Sequence, residues 1–391
     1  MSKPFRIFLV AVEPSGDALG ADLIMALREA GPDIEIAGVG GRRMEALGVT
    51  SAVDISGLAI MGLLDGLKTY PDILRKVNAT VDAALAFEAD TVVLIDSWGY
   101  MIRVAQRLQK RALPPLLVKY VGPQIWAARP KRADVLARSV DHLLTIHAFD
   151  APMFEAAGLP TTFVGNPALE RPVTGDGNAF RERHGISPGA PVVGALFGSR
   201  PSELRRIGPG LRDAVVDLKT RLPDGAVFVS PMAPAIADDV RLSLDADPRI
   251  SDIILVDEAE KRDATSAMNV ALAVSGTATT ELALAGVPTV STYKLGWLSY
   301  WIYRTILFKA DYFSLVNIAA GEELILEHAQ QECRGDILAG SVMALLDEIE
   351  SGQSRSPRLK AAAEAMKGDG RSSARAAQAV IALTTARREN S

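Results

Sequence analysis

Short runs of apolar residues, each about one strand long, alternate along the chain with longer stretches of helical periodicity. In the first half the runs occupy 5–12, 34–39, 91–95, 116–121 and 142–146. The helix-like stretches between and after them fall at 17–30, 69–87, 100–111, 130–138 and 150–157. This rhythm predicts an α/β fold with a parallel, doubly wound sheet. Residues 168–189 are rich in Pro, Gly and charge and read as an interdomain linker. The alternation then resumes, with strands predicted at 191–196, 226–230, 252–255, 270–274 and 288–292. Helices are predicted near 202–221, 234–245, 259–267 and 278–285, and helical patterns dominate from there to the C-terminus. The expectation is two Rossmann-like α/β domains facing each other across a cleft, residues 1–170 and 171–349. Whether the helical tail 350–391 packs back on the first domain stays open. Ligands would sit at the C-terminal ends of the strands.

Composition narrows this picture. A chain of 391 residues is long enough for two cores, and 48% hydrophobic with 23% charged residues is ordinary for a globular protein. A net charge of −5 gives no reason to expect nucleic acid as a partner. The single Cys333 rules out an internal disulfide and a cysteine-based metal cluster, which fits a reducing compartment. The four histidines (142, 147, 184 and 328) share no metal-ligand spacing, so neither a metal nor another cofactor is expected. The N-terminal apolar run is too short for a secretory leader, and no run reaches the roughly 18–20 residues of a membrane span.

Three strand-end loops carry candidate chemistry. Val274-Ser275-Gly276-Thr277 closes an apolar run and opens a helical one, placing small residues where free N–H groups and the helix dipole favour an anion. Glu281 follows one to two turns into that helix, within reach of a group attached to the anion. A diphosphate on the turn, with a ribose near the carboxylate, would suit a nucleotide sugar. Gly198-Ser199-Arg200 occupies the equivalent place after the strand at 191–196, where Gly198 admits close approach and Arg200 can fork onto a phosphate. In the first domain Glu13-Pro14-Ser15-Gly16-Asp17 follows the first strand, and Asp96 ends the third. Ser15 or Asp17 would equally serve as a helix cap, and Asp96 would serve as a cap or as a general base. The chain lacks G-x-G-x-x-G, G-x-S-x-G and G-x-x-x-x-G-K-[ST], which counts against dinucleotide, hydrolase and P-loop readings. Two segments are unusually apolar for their place, 58–67 and the aromatic-rich 297–309. Each reads as core or as a lipid-facing surface.

Taken in order, these motifs resemble the lipid-A-disaccharide synthase family of inverting glycosyltransferases with the GT-B fold. The resemblance rests on Glu13-Pro14-Ser15-Gly16-Asp17-Ala18-Leu19-Gly20, Gly38-Val39-Gly40-Gly41-Arg42-Arg43-Met44, Ile60-Met61-Gly62 and Tyr120-Val121-Gly122-Pro123-Gln124-Ile125-Trp126-Ala127. In the second half it rests on Gly198-Ser199-Arg200-Pro201-Ser202-Glu203, Ser275-Gly276-Thr277-Ala278-Thr279-Thr280-Glu281 and Tyr293-Lys294. It implies transfer of 2,3-diacylglucosamine from its UDP derivative to 2,3-diacylglucosamine 1-phosphate, with a β-1,6 link and release of UDP. The implied catalytic residues are Asp17 or Asp96 as the base, with Glu13 as a structural or acceptor contact. Ser15, Gly16, Met61 and Gln124 are implied substrate contacts in the first domain. Gly198, Ser199, Arg200, Ser275, Gly276, Thr277, Thr279, Glu281, Lys294 and Asn317 are implied contacts in the second. The implied partners are the UDP-diacylglucosamine donor, the acylated glucosamine phosphate acceptor, the cytoplasmic face of the inner membrane and, as an open alternative, a second copy of the chain. Some positions differ from the family pattern. Its D-x-P-D-F-N stands here as Asp96-Ser97-Trp98-Gly99-Tyr100-Met101, and V-G-H-P as Val164-Gly165-Asn166-Pro167. L-P-N becomes Leu315-Val316-Asn317, and P-E-x-x-Q becomes Leu326-Glu327-His328-Ala329-Gln330. A divergent paralogue with another acceptor, a nucleotide-sugar 2-epimerase and a non-catalytic UDP-sugar-binding protein are the alternatives.

Overall fold

Each apolar run of the first half becomes a strand of one parallel sheet. The computed structural model describes residues 3–31, 33–55, 66–126, 129–296 and 311–390, with backbone alone at 66–69. Met61 and the apolar segments 58–67 and 297–309, apart from the backbone at 66 and 67, lie outside the described residues. The chain divides into two units, Met1–Glu170 with Gly368–Ser391, and Arg171–Lys367.

The first unit carries β1 (Phe5–Ala11), β2 (Ile34–Val39), β3 (Thr91–Ile95), β4 (Leu116–Tyr120), β5 (His142–Thr145) and β6 (Thr161–Phe163). All are parallel, in the order β2-β1-β3-β4-β5-β6. Alternation within β1 builds both layers: Ile7, Leu9 and Ala11 join one apolar cluster, and Phe8 and Val10 join the other. The helix Pro14–Glu29 begins three residues before the predicted 17–30, because Pro14 at its first position has a preset φ and no N–H to lose.

The second unit carries β7 (Val192–Leu196), β8 (Val227–Pro231), β9 (Ile254–Val256), β10 (Val270–Val274), β11 (Thr289–Tyr293) and β12 (Leu326–Ala329). They are parallel in the order β12-β11-β10-β7-β8-β9. Counted from its own first strand this is 3-2-1-4-5-6, the order of the dinucleotide-binding fold. Strand order reverses between β7 and β10 here and between β1 and β3 in the first unit. A crevice opens at such a point because the flanking connections leave to opposite faces of the sheet.

Two strands escape the apolar pattern, as do the short helix Arg42–Ala46 and a helix within the predicted linker. β6 and β12 are three and four residues of half-buried, largely polar sequence, Thr-Thr-Phe and Leu-Glu-His-Ala. Edge position explains this, since only one neighbour and part of one face need be apolar. The predicted linker 168–189 contains the helix Gly177–Arg183. It is capped by the Asp176 side chain, which accepts from Ala179 N–H at 2.9 Å, and Phe180 anchors it in the second core.

The C-terminal helices part company at residue 367. The helix Ser356–Lys367 packs on the helices Thr277–Leu284 and Leu315–Ala320 of the second unit. The helix Ser372–Glu389 returns to the first unit, where Ala376, Ala377 and Val380 enter the cluster of Leu23 and Leu27. Glu170 accepts from Ser372 N–H at 2.7 Å, the Thr91 and Thr384 hydroxyls bond at 2.7 Å, and Arg388 pairs with Asp90 at 2.6 Å.

Candidate active site

In the second unit the loops after β7 and β10, the two strands flanking the reversal, share one cavity of about 320 Å³. Its lining includes Gly198, Ser199, Arg200, Ser275, Gly276, Thr277 and Glu281, together with Lys261 and Glu258. Two helices start at its wall, Pro201–Arg221 and Thr277–Leu284, and each leaves its first N–H groups without intrahelical partners. Gly198 has φ +95°, and a Cβ there would stand 2.6 Å from Glu203 Oε2, so only glycine fits. Glu203 accepts from the N–H groups of Ser199 (2.9 Å) and Arg200 (3.3 Å) and pairs with the Arg200 guanidinium at 3.2 Å, which fixes this loop. The Arg200 side chain remains 76% exposed, so an arriving anion competes only with a weak surface pair. Glu281 pairs with Lys261 at 2.8 Å. Sequence reasoning missed Lys261, since one lysine at the start of a surface helix carries no motif.

In the first unit the reversal point is bridged by a hydrogen bond. Ser15, after β1, donates its hydroxyl to Asp96 Oδ2 at 2.8 Å, after β3. Asp96 and Ser97 have φ of 55° and 34°, and Val121, at the end of β4, has 69°. Left-handed backbone at a β-branched valine is costly, and such strain gathers where a site dictates geometry. Lys119 on β4 lies beneath these loops. It is 2% exposed, and its ammonium donates to the carbonyls of Leu94 (3.1 Å), Asp96 (2.6 Å) and Tyr120 (3.1 Å). Burial lowers its pKa to about 7, against the opposing pull of the Asp96 and Glu13 charges. It is a positioning residue that ties the backbone of Asp96 to β4, and no motif announced it. A neighbouring cavity of about 180 Å³ is lined by Asp96, Trp98, Lys119, Gln124, Arg132 and His147.

Several expected contacts serve the fold instead. Asp17 is 6% exposed, and its two oxygens accept from the N–H groups of Gly41 (2.8 Å), Arg43 (2.9 Å) and Met44 (3.2 Å). These bonds cap the short helix Arg42–Ala46, which packs beside the helix that carries Asp17. Gly16 is buried against Ile95 and Asp96, and Glu13, half-buried, precedes the helix as its cap residue. Thr279 is 2% exposed, with its hydroxyl given to Gly276 O at 2.7 Å. Asn317 is fully buried. Its amide donates to Ile325 O (2.7 Å) and Glu327 Oε1 (2.8 Å), and its oxygen accepts from Leu324 N–H (2.9 Å) and Ile325 N–H (2.8 Å). Nothing is left over for a substrate. Lys294 lines a separate open groove with Arg206, Cys333 and Arg334, away from the cavity of Ser275.

Two buried groups after β5, His147 and Asp150, have pKa values shifted by their own burial. Burial lowers the His147 pKa to about 4, and its Nδ1 has no partner. Burial also raises the Asp150 carboxyl to about 7, partly offset by the Thr145 hydroxyl. The depressed His147 contributes stability that is present above about pH 6.5 and lost as pH falls toward 4. The raised Asp150 contributes stability that is present below about pH 4 and lost as pH rises toward 7. The two slopes therefore oppose each other between about pH 4 and 6.5. Relative to the native protein, Asp150→Asn should gain stability as pH rises through this window, by at most about 1.4 kcal/mol per pH unit. His147→Leu should show the opposite trend in urea-unfolding midpoints. Parallel pH profiles for the native protein and both variants would refute this assignment.

A family model described as "Lipid-A-disaccharide synthetase" matches residues 7–383. The lipid-A-disaccharide synthase of Rhodospirillum centenum is 42% identical over 388 residues, covering 98% of this chain and 96% of that protein. Among solved structures, a putative UDP-N-acetylglucosamine 2-epimerase from Listeria monocytogenes superposes with a TM-score of 0.60 at 15% identity, covering 100% of this chain and 98% of that one. A glycosyltransferase from Rickettsia africae gives 0.57 at 10% identity, covering all of both chains. At these identities the two structures establish the shared fold alone.

Proposed function

The chain belongs to the lipid-A-disaccharide synthase family, and from that premise we propose how its two sites divide one reaction. The enzyme is an inverting glycosyltransferase. It moves 2,3-diacylglucosamine from UDP to the 6-hydroxyl of 2,3-diacylglucosamine 1-phosphate and releases UDP. The observation that carries this reading is the cavity at the β7/β10 reversal, where two helix N-termini and Arg200 converge. Such a site suits a diphosphate, which gains charge as the glycosidic bond to it breaks. Ser199, Ser275 and Thr277 line its polar rim, and Glu281 accepts from the ribose while Lys261 balances its charge.

The first unit handles the acceptor. Asp96 takes the proton from the attacking hydroxyl, with Ser15 holding its second oxygen and Lys119 its backbone. Gln124 contacts the acceptor from the neighbouring cavity. Both substrates are acylated, which supports action at the cytoplasmic face of the inner membrane. No helix among the described residues is long and apolar enough to cross a membrane, so the association would be peripheral.

Purified protein supplied with both diacyl substrates should form the disaccharide and UDP. Arg200→Ala should weaken UDP binding roughly tenfold, as expected for one charge-assisted contact. No disaccharide above blank would refute the reaction, and unchanged UDP affinity would refute the role of Arg200. Conversion of UDP-N-acetylglucosamine to its 2-epimer without acceptor would establish the epimerase alternative instead.

A further inference from the structure

We propose, building on the acceptor reading above, that the first-unit cavity is a phosphate-monoester subsite with Arg132 as its cationic anchor. At about 180 Å³ the cavity is smaller than the roughly 300–1,000 Å³ that encloses a whole ligand, so it suits a head group. Its lining combines one carboxylate, Asp96, with the donors Arg132, Gln124 and His147. Lys119 also reaches the wall, but its ammonium is committed to three carbonyls and cannot grip a ligand.

Arg132 is the uncommitted cation of this wall. Its guanidinium lies over the Trp98 ring, 5.0 Å from the centroid, a cation–π contact that holds the charge at this wall. It has no acidic partner among the described residues. Burial and the nearby charge of Arg129 lower its pKa, the mark of a guanidinium short of counter-charge. His147 closes the same wall as a neutral, buried ring, so Arg132 brings the charge that a ligand would meet. A phosphate oxygen would answer that want of counter-charge. Asp96 lines the same cavity, so a sugar that offers its hydroxyl there can present an anomeric phosphate to Arg132. This goes beyond the family reaction by assigning recognition of the acceptor's phosphate to a residue that no motif above singles out.

Calorimetry with glucosamine 1-phosphate, glucosamine and inorganic phosphate tests the subsite independently of turnover. The native protein should prefer glucosamine 1-phosphate to the other two, and Arg132→Ala should weaken it about tenfold to a hundredfold. UDP affinity should stay unchanged, which also reports that the variant is folded. Arg132→Lys should fall between the two, since it keeps charge and loses the guanidinium fork. In the disaccharide assay the loss should fall on KM for the phosphorylated acceptor, while the dephosphorylated acceptor is used equally by native protein and variant. Equal glucosamine 1-phosphate binding by native and Arg132→Ala protein overturns the proposal, as does native affinity for inorganic phosphate that matches or exceeds it. Arg132-dependent binding without disaccharide formation would uphold the subsite and overturn the reaction.

Discussion

Asp96→Asn is expected to reduce kcat by roughly 10²–10⁴-fold while donor binding stays within about twofold, the usual cost of deleting a general base. The substitution is close to isosteric, and asparagine tolerates the φ of 55° that most residues would resist. Its carbonyl oxygen can still accept from Ser15, so the 2.8 Å bridge between the β1 and β3 loops survives. What disappears is the capacity to accept a proton. Asp17→Asn makes the contrasting control. The amide keeps one oxygen for the Gly41 and Met44 N–H groups and turns an NH₂ toward that of Arg43, donor against donor, so the loss should appear as roughly 1–3 kcal/mol of stability. Steady-state kinetics with both substrates, run beside thermal melts, separates the two. Activity of Asp96→Asn within threefold of native would eliminate Asp96 as the base.

Asn317→Leu should cost the second unit about 4 kcal/mol. Four partners would lose their bonds at once: the Ile325 carbonyl, Glu327 Oε1, and the N–H groups of Leu324 and Ile325. Glu327 already has its pKa raised by burial. It relies on the N–H groups of Phe313 and Ser314 and on Asn317 to offset that cost. For a unit of this size the melting temperature should fall by roughly 8–16 °C. UDP affinity measured below the transition should be unchanged. A loss under 1 kcal/mol, or a specific loss of UDP binding, would restore Asn317 as a substrate contact.

The contrast between Asp96 and Asn317 marks how far the sequence could be read. Apolar runs identified ten of the twelve strands among the described residues, because parallel strands covered on both faces have few polar positions. The short polar edge strands β6 and β12 left no such trace. The meeting of Gly198, Arg200 and the Ser275–Thr277 turn in one cavity was legible because strand-end loops, backbone geometry and charge are local properties. Lys119, Lys261 and Arg132 were not, since their placement depends on which strands become neighbours. Two other candidate residues prove to be bonded to backbone amides. Asp17 and Asn317 are polar residues within the motifs, and a motif does not reveal whether a polar atom faces a ligand or an unpaired backbone amide.

The first unit is discontinuous in the chain, closed by the helix Ser372–Glu389 only after the whole second unit has intervened. During synthesis 202 residues therefore separate the emergence of Glu170 from that of its partner Ser372. At about 5–20 residues per second the delay is roughly 10–40 s. Over that interval the surface of Leu23 and Leu27 that Ala376, Ala377 and Val380 will cover stays open to solvent and to chaperones. The contiguous second unit is free to fold first, so order of maturation runs opposite to order of translation.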